Sequence, residues 1–206
     1  MLKESSFSIW TVILALNVTP VTFPVQLFSE RGFVGCVGQG YREGKTEVSM
    51  QERFQYAKAY PDAYKAMLAL TQAVERTGLA PQLIDLINYR ISQLNGCAFC
   101  LDMHSKDLRA RGETEQRLYM MSAWREAPHL YSSRERAALA WAEAVTRLED
   151  QQIPDAVYDI ARKEFSEAEL TQLTLAVVAI NGWNRFNVAF HTPAGGYKSP
   201  IVRKTG

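Results

Sequence analysis

Asp85-Leu-Ile-Asn-Tyr-Arg-Ile-Ser-Gln-Leu-Asn95-Gly96-Cys97-Ala-Phe-Cys100-Leu-Asp-Met-His104-Ser-Lys106 holds both the fold and the chemistry of this chain. Upstream, Leu83, Leu86 or Ile87, Ile91 and Leu94 recur at helical spacing and make one apolar face. Asp85 and Ser92 lie seven apart on another, shared stripe. Asn95-Gly96 interrupts the pattern, and Asn95 is expected to cap a new helix beginning near Cys97. On that helix Cys97, Cys100 and His104 share a face, because residues three and four apart are neighbours.

Outward from this pair the chain continues helix after helix. Pro61 to Thr77 carries Tyr64, Met67, Leu68, Leu70 and Val74 at helical spacing and stops at Gly78. Pro81 suits the first turn of the next helix. The thiol helix should end at Gly112, and another should run from Glu113 to Glu126, before Pro128. Ser132-x-x-Glu135 and Ser166-x-x-Glu169 are capping-box patterns. They open helices to about Leu148 and from Glu167 to His191, while Pro154 opens one ending near Phe165. No stretch alternates as a strand would, so the expected class is all-α, an antiparallel helical bundle. A thioredoxin-type setting for the cysteines would need a βαβ pattern, and none is visible.

The domain reading has three parts. Residues 1–49 are set apart as an N-terminal extension, either disordered or the product of an upstream start with the protein opening at Met50. Residues 50–193 form the helical domain, and 194–206 an extended tail rich in Gly and Pro. The apolar run Phe7 to Val18 is too short for a membrane span. As a signal peptide core it lacks a basic flank beyond Lys3 and a clean small-x-small cleavage site. With a net charge of +1, nothing in the bulk electrostatics argues for nucleic acid or an anionic membrane, and neither is expected as a partner. Three cysteines (Cys36, Cys97, Cys100) do not make a secreted disulfide framework, which points to the cytoplasm.

Two thiols that can close on each other, beside a base, suggest redox catalysis. The helix N-terminus favours a thiolate at Cys97. His104, one turn beyond Cys100, can instead take the Cys100 proton, and the residues alone leave the choice open. A thiolate attacking peroxide becomes a sulfenic acid, which the second cysteine condenses to a disulfide. Zinc is the first rival, with His104, His129, His191 or Asp85 completing the ligands. The sequence has no second close Cys/His pair, so no metal or other cofactor is expected. Inert core cysteines are the second. Asp85, twelve residues before Cys97, can orient His104 if the helices fold back at Asn95-Gly96; its plain alternative is a solvated carboxylate. Asn181, Asn184, Val188 and His191 make a stripe on the last helix, suited to a cavity or a subunit contact. Phe99, Tyr89 and Trp183 are expected in the core.

These residues resemble the AhpD-like alkyl hydroperoxidases of the carboxymuconolactone decarboxylase superfamily. The likeness rests on Ser92-Gln-x-Asn95-Gly96 leading into Cys97-x-x-Cys100-x-x-x-His104, and on Glu115 to Tyr119, Ser122 to Glu126, Arg134 to Trp141 and Ala179 to Arg185. It covers Met50 to Pro193. The resemblance implies a homo-oligomer, trimer or hexamer, that reduces organic hydroperoxides or hydrogen peroxide. By position it makes Cys100 the attacking sulfur, Cys97 the resolving one and His104 the proton relay with Asp85. Asp85 stands where the family has a glutamate, one methylene longer. Phe99 stands where the best-studied type has a second histidine. The reductant implied is a lipoyl-type dithiol, a thioredoxin-like protein or a small thiol. A lactone decarboxylase-like lyase, and a non-enzymatic redox sensor or oligomeric scaffold, are the alternatives.

Overall fold

The computed structural model describes residues 51–201; what the sequence reading expects of 1–49 and of the last five residues lies outside the described residues. Among these residues there are eight α-helices and no strand. They are α1 (Tyr56–Ala59), α2 (Pro61–Glu75), α3 (Pro81–Leu94), α4 (Ala98–Ala110), α5 (Glu115–Met120), α6 (Ser133–Arg147), α7 (Asp155–Glu164) and α8 (Glu167–Phe190). Helix α3 is central and packs on α4, α6 and α8; α2 lies along α8 and α7 along α6. At one crossing Gly182 of α8 faces the tip of Met67 on α2, where a Cβ would fall 2.7 Å from the Met67 Cε.

The core follows from the helical stripes. Leu83, Ile87 and Ile91 of α3 meet Ala137, Ala138 and Trp141 of α6 and Leu173, Val177 and Ile180 of α8 in one buried cluster. A smaller cluster joins Leu86, Met121, Trp124, Tyr131 and Leu139. Leu94, expected on the apolar face, is only half-buried. Leu173 is fully buried. Leu173→Ala should therefore cost about 2–5 kcal/mol through lost burial and the cavity left behind. The midpoint of urea unfolding should fall with its slope unchanged.

Both capping boxes form: Ser132 and Glu135 close the start of α6, Ser166 and Glu169 that of α8. The helix expected over Glu113 to Glu126 is shorter. Helix α5 ends at Met120 and continues as a 3₁₀ turn, Met121–Ala123. The Tyr131 hydroxyl donates to the Arg117 carbonyl at 2.6 Å, and the Met121 N–H turns instead to Leu118 O. That tighter pitch drops Met121 and Trp124 together into the smaller cluster.

Candidate functional site

The α3–α4 turn builds the site. Asn95 is not the cap of the second helix; it is the C-cap of α3. Gly96 follows with φ 65°, a left-handed conformation that suits glycine. Cys97 then takes the N-cap position of α4, its sulfur accepting the Cys100 N–H at 3.3 Å. The freed Asn95 amide donates to Asn181 Oδ1 at 3.0 Å and Asn184 Oδ1 at 2.8 Å, which ties the turn to α8. Asn184 donates to Ser92 Oγ at 3.1 Å, and Asn181 to Thr146 Oγ1 at 2.9 Å. The asparagine stripe thus holds the fold together within the chain.

Cys97 and Cys100 are joined as a disulfide, their Cα atoms 5.4 Å apart. Both are buried, at 1% and 0% exposure. His104 lies one turn further along α4, buried, with neither ring nitrogen hydrogen-bonded. Asp85 reaches it from α3: its Oδ1 is 3.7 Å from His104 Nδ1, beyond direct hydrogen-bond range. The other oxygen, Oδ2, accepts from Arg111 Nε at 2.7 Å. Asp85 is therefore a mostly buried, paired carboxylate and not a solvated one. The structure brings all four sequence-chosen residues into one region.

A cavity of about 490 Å³ opens beside them. Its apolar wall includes Leu79, Ile84, Met103, Ile180 and Trp183; its polar residues include Asp85, His104, Asp107, Arg111 and Tyr197. Trp183, expected in the core, lines this cavity, with its indole N–H donating to Thr71 Oγ1 at 2.8 Å. The tail forms part of the wall through Tyr197, Pro200 and Ile201. It is held by Lys106, whose Nζ donates to the carbonyls of Gly195 (3.2 Å) and Tyr197 (2.9 Å). The Tyr197 hydroxyl donates to both Asp107 oxygens, at 3.0 and 3.1 Å. Burial, and then the Asp107 carboxylate, push this phenol up to about 12, so it stays a proton-bearing donor at neutral pH.

Three contributors escape sequence reasoning. Arg111 sits just past the end of α4, and its pairing with Asp85 carries no local signal. Tyr197 meets Asp107 across ninety residues. Asn187 donates to Cys100 Sγ at 3.5 Å. Its signal was present: it lies one turn past Asn184, at a place the stripe assigned to its neighbour Val188. Among the described residues, no group of three or more His, Cys, Asp or Glu side chains is placed to hold a metal.

Known proteins resemble the chain at several levels. Residues 61–144 match the model of the carboxymuconolactone decarboxylase family. The uncharacterized protein YdfG of Bacillus subtilis is 38% identical over 140 residues, 68% of this chain and 95% of YdfG. A crystal structure of a protein of unknown function from Agrobacterium tumefaciens, described as a candidate antioxidant defence protein AhpD, is 44% identical. It superposes with a TM-score of 0.68 over 71% of this chain and all of that one. An uncharacterized peroxidase-related protein from Silicibacter sp. TM1040 shares the fold at 22% identity and a TM-score of 0.59, over 67% of this chain and 73% of its own.

Proposed function

We propose, from the premise that the chain belongs to the carboxymuconolactone decarboxylase family as an AhpD-like member, that it is a thiol peroxidase working through a Cys97–Cys100 cycle. The observation that carries the reading is the closed sulfur pair with His104 one turn beyond and Asp85 beside it. The Cys100 thiolate attacks the terminal oxygen of a hydroperoxide and breaks the O–O bond. The alkoxide leaves with a proton relayed by His104, and Cys100 becomes a sulfenic acid. The Cys97 sulfur attacks that sulfenic sulfur, water departs, and the disulfide forms. An external dithiol returns two electrons and two protons and restores both thiols. Asp85, its Oδ1 3.7 Å from His104 Nδ1, orients the imidazole in this reading. Return of the dithiol suits a reducing compartment such as the cytoplasm.

A homo-oligomer, trimer or hexamer, is part of this reading. The exposed apolar side chains Val178 and Val188 on α8 support it. No helix of the described residues is long and apolar enough to cross a membrane.

The test begins with reduced protein and one equivalent of an organic hydroperoxide, followed by unfolding, alkylation and mass analysis. Two thiols per chain should vanish, linked as 97 to 100, with Cys36 untouched. Steady-state consumption is then measured with a panel of reductants. His104→Ala should lower it by about 10²–10³-fold, as expected for loss of a general acid–base group. Asp85→Asn should lower it less. An unchanged rate in His104→Ala removes the relay from the mechanism.

A lyase reading has one observation in its favour. His104, Asp107, Arg111 and Tyr197 line the cavity, whereas neither sulfur does. Acid–base chemistry on a carboxylate substrate would need only those groups. Lactone decarboxylation that persists in Cys100→Ser, without hydroperoxide turnover in the parent protein, would establish it.

A further inference from the structure

Asn187 occupies a place in the site that neither the helical spacing nor the thiol cycle assigns. Its side chain is buried and bridges two groups: Nδ2 lies 3.5 Å from Cys100 Sγ, and Oδ1 accepts from the Tyr56 hydroxyl at 3.3 Å. A hydroxyl donating to Oδ1 turns the NH₂ end toward the sulfur. Burial, and then the neighbouring Tyr64, raise the Tyr56 phenol, so it keeps its proton and acts as donor. Tyr56 is itself fixed against the end of α8. Its ring packs on Phe186 and Phe190, with centroids 5.1 and 5.5 Å away. The Arg53 N–H donates to Phe190 O at 3.1 Å, and the Arg53 guanidinium to Ala189 O at 2.8 Å.

The consequence concerns which sulfur ionises. A buried sulfur without water disfavours the thiolate. Cys97 already has a donor, the Cys100 N–H at the start of α4. Cys100, fully buried, is the third residue of α4, and the hydrogen bond to its sulfur comes from Asn187. We propose that Asn187 is a further catalytic residue, a neutral donor that stabilises negative charge on Cys100 Sγ in the reduced protein, and that Tyr56 is the positioning residue that orients its amide. The inference rests on the assignment of Cys100 as the attacking sulfur. It requires no oxidant and no metal: Asn187 acts on the dithiol before peroxide arrives.

The experiment titrates each thiol of the reduced full-length protein, labelled with ¹³Cβ-cysteine, by NMR. In Asn187→Ala the Cys100 midpoint should rise by about one pH unit, a tenfold loss of thiolate at neutral pH. The Cys97 midpoint should stay in place. Tyr56→Phe should move Cys100 the same way by less. Asn187→Asp, which keeps the shape, replaces the donor by a carboxylate and should raise the midpoint further; it carries the test if the alanine variant does not fold. A Cys100 midpoint unmoved in a folded Asn187 variant, or a shift confined to Cys97, overturns the proposal. This titration uses no peroxide, so its outcome is separate from turnover. A shifted midpoint in a protein that consumes no hydroperoxide would sink the peroxidase reading alone.

Discussion

Hydroperoxide turnover should vanish in Cys100→Ser, with kcat/KM falling at least about 10³-fold, because a serine hydroxyl is not ionised at neutral pH and cannot form the sulfenic acid. Cys97→Ser should behave differently. Its Cys100 can still attack once, so one equivalent of peroxide is consumed rapidly and the cycle then stalls as the sulfenic acid. A sulfenic-acid trap such as dimedone should label that variant at position 100, and label the parent far less. Equal steady-state rates in parent and Cys100→Ser would end the assignment. The two variants together also test the order of attack, since label at position 97 would reverse the roles. The fold should survive both changes, because the sulfurs serve the site and the core clusters around α3 do not include them.

The largest effect on stability is expected at Glu143, far from the thiols in its chemistry. This carboxylate is buried and accepts from Arg90 Nε (2.6 Å), Trp124 Nε1 (2.9 Å) and Arg125 Nη1 (2.6 Å). Arg125 is largely solvated and should lose little. Arg90 is buried, so Glu143→Ala leaves its cation unpaired, at a cost of about 3–5 kcal/mol. The melting temperature should drop by roughly 6–20 °C, scaled from that cost for a chain of this size. The pH dependence has a defined sign. Burial alone would raise the Glu143 carboxyl, but Trp124, Arg125 and Arg90 together hold it below its ordinary value of 4.5. Its stabilising contribution is present above that value and is lost as pH falls through the lowered one. Acid melting curves of the parent should therefore steepen below about pH 4.5, and the alanine variant should lack that component. A variant that melts at the parent temperature at pH 7 would remove Glu143 from the core network.

What the chain discloses before it is folded is what depends on near neighbours. Ser132 with Glu135, and Ser166 with Glu169, satisfy helix ends within one turn, so their helices were readable to a residue or two. Cys97, Cys100 and His104 share a helical face for the same reason. The role of Asn95 is not legible locally, because contacts across eighty-six residues and more, to Asn181 and Asn184, settle it. The early end of α5 depends on Tyr131 reaching back to the Arg117 carbonyl, a tertiary event with no periodicity. Trp183 looked like core because size and apolarity do not say which side of a helix faces a cavity. Asp85 is legible from its helical position, but its tie to Arg111 is not, since the fold joins residues twenty-six apart.

The seclusion of the sulfur pair bears on who can do business with it. With both cysteines at 1% exposure or less, a macromolecular donor meets neither sulfur at the surface. Exchange demands that three nuclei align, so either a slender arm threads inward or the polypeptide breathes apart at the doorway. Admission, as much as intrinsic reactivity, then sets the tempo of renewal, and the same screen shields the pair from indiscriminate electrophiles.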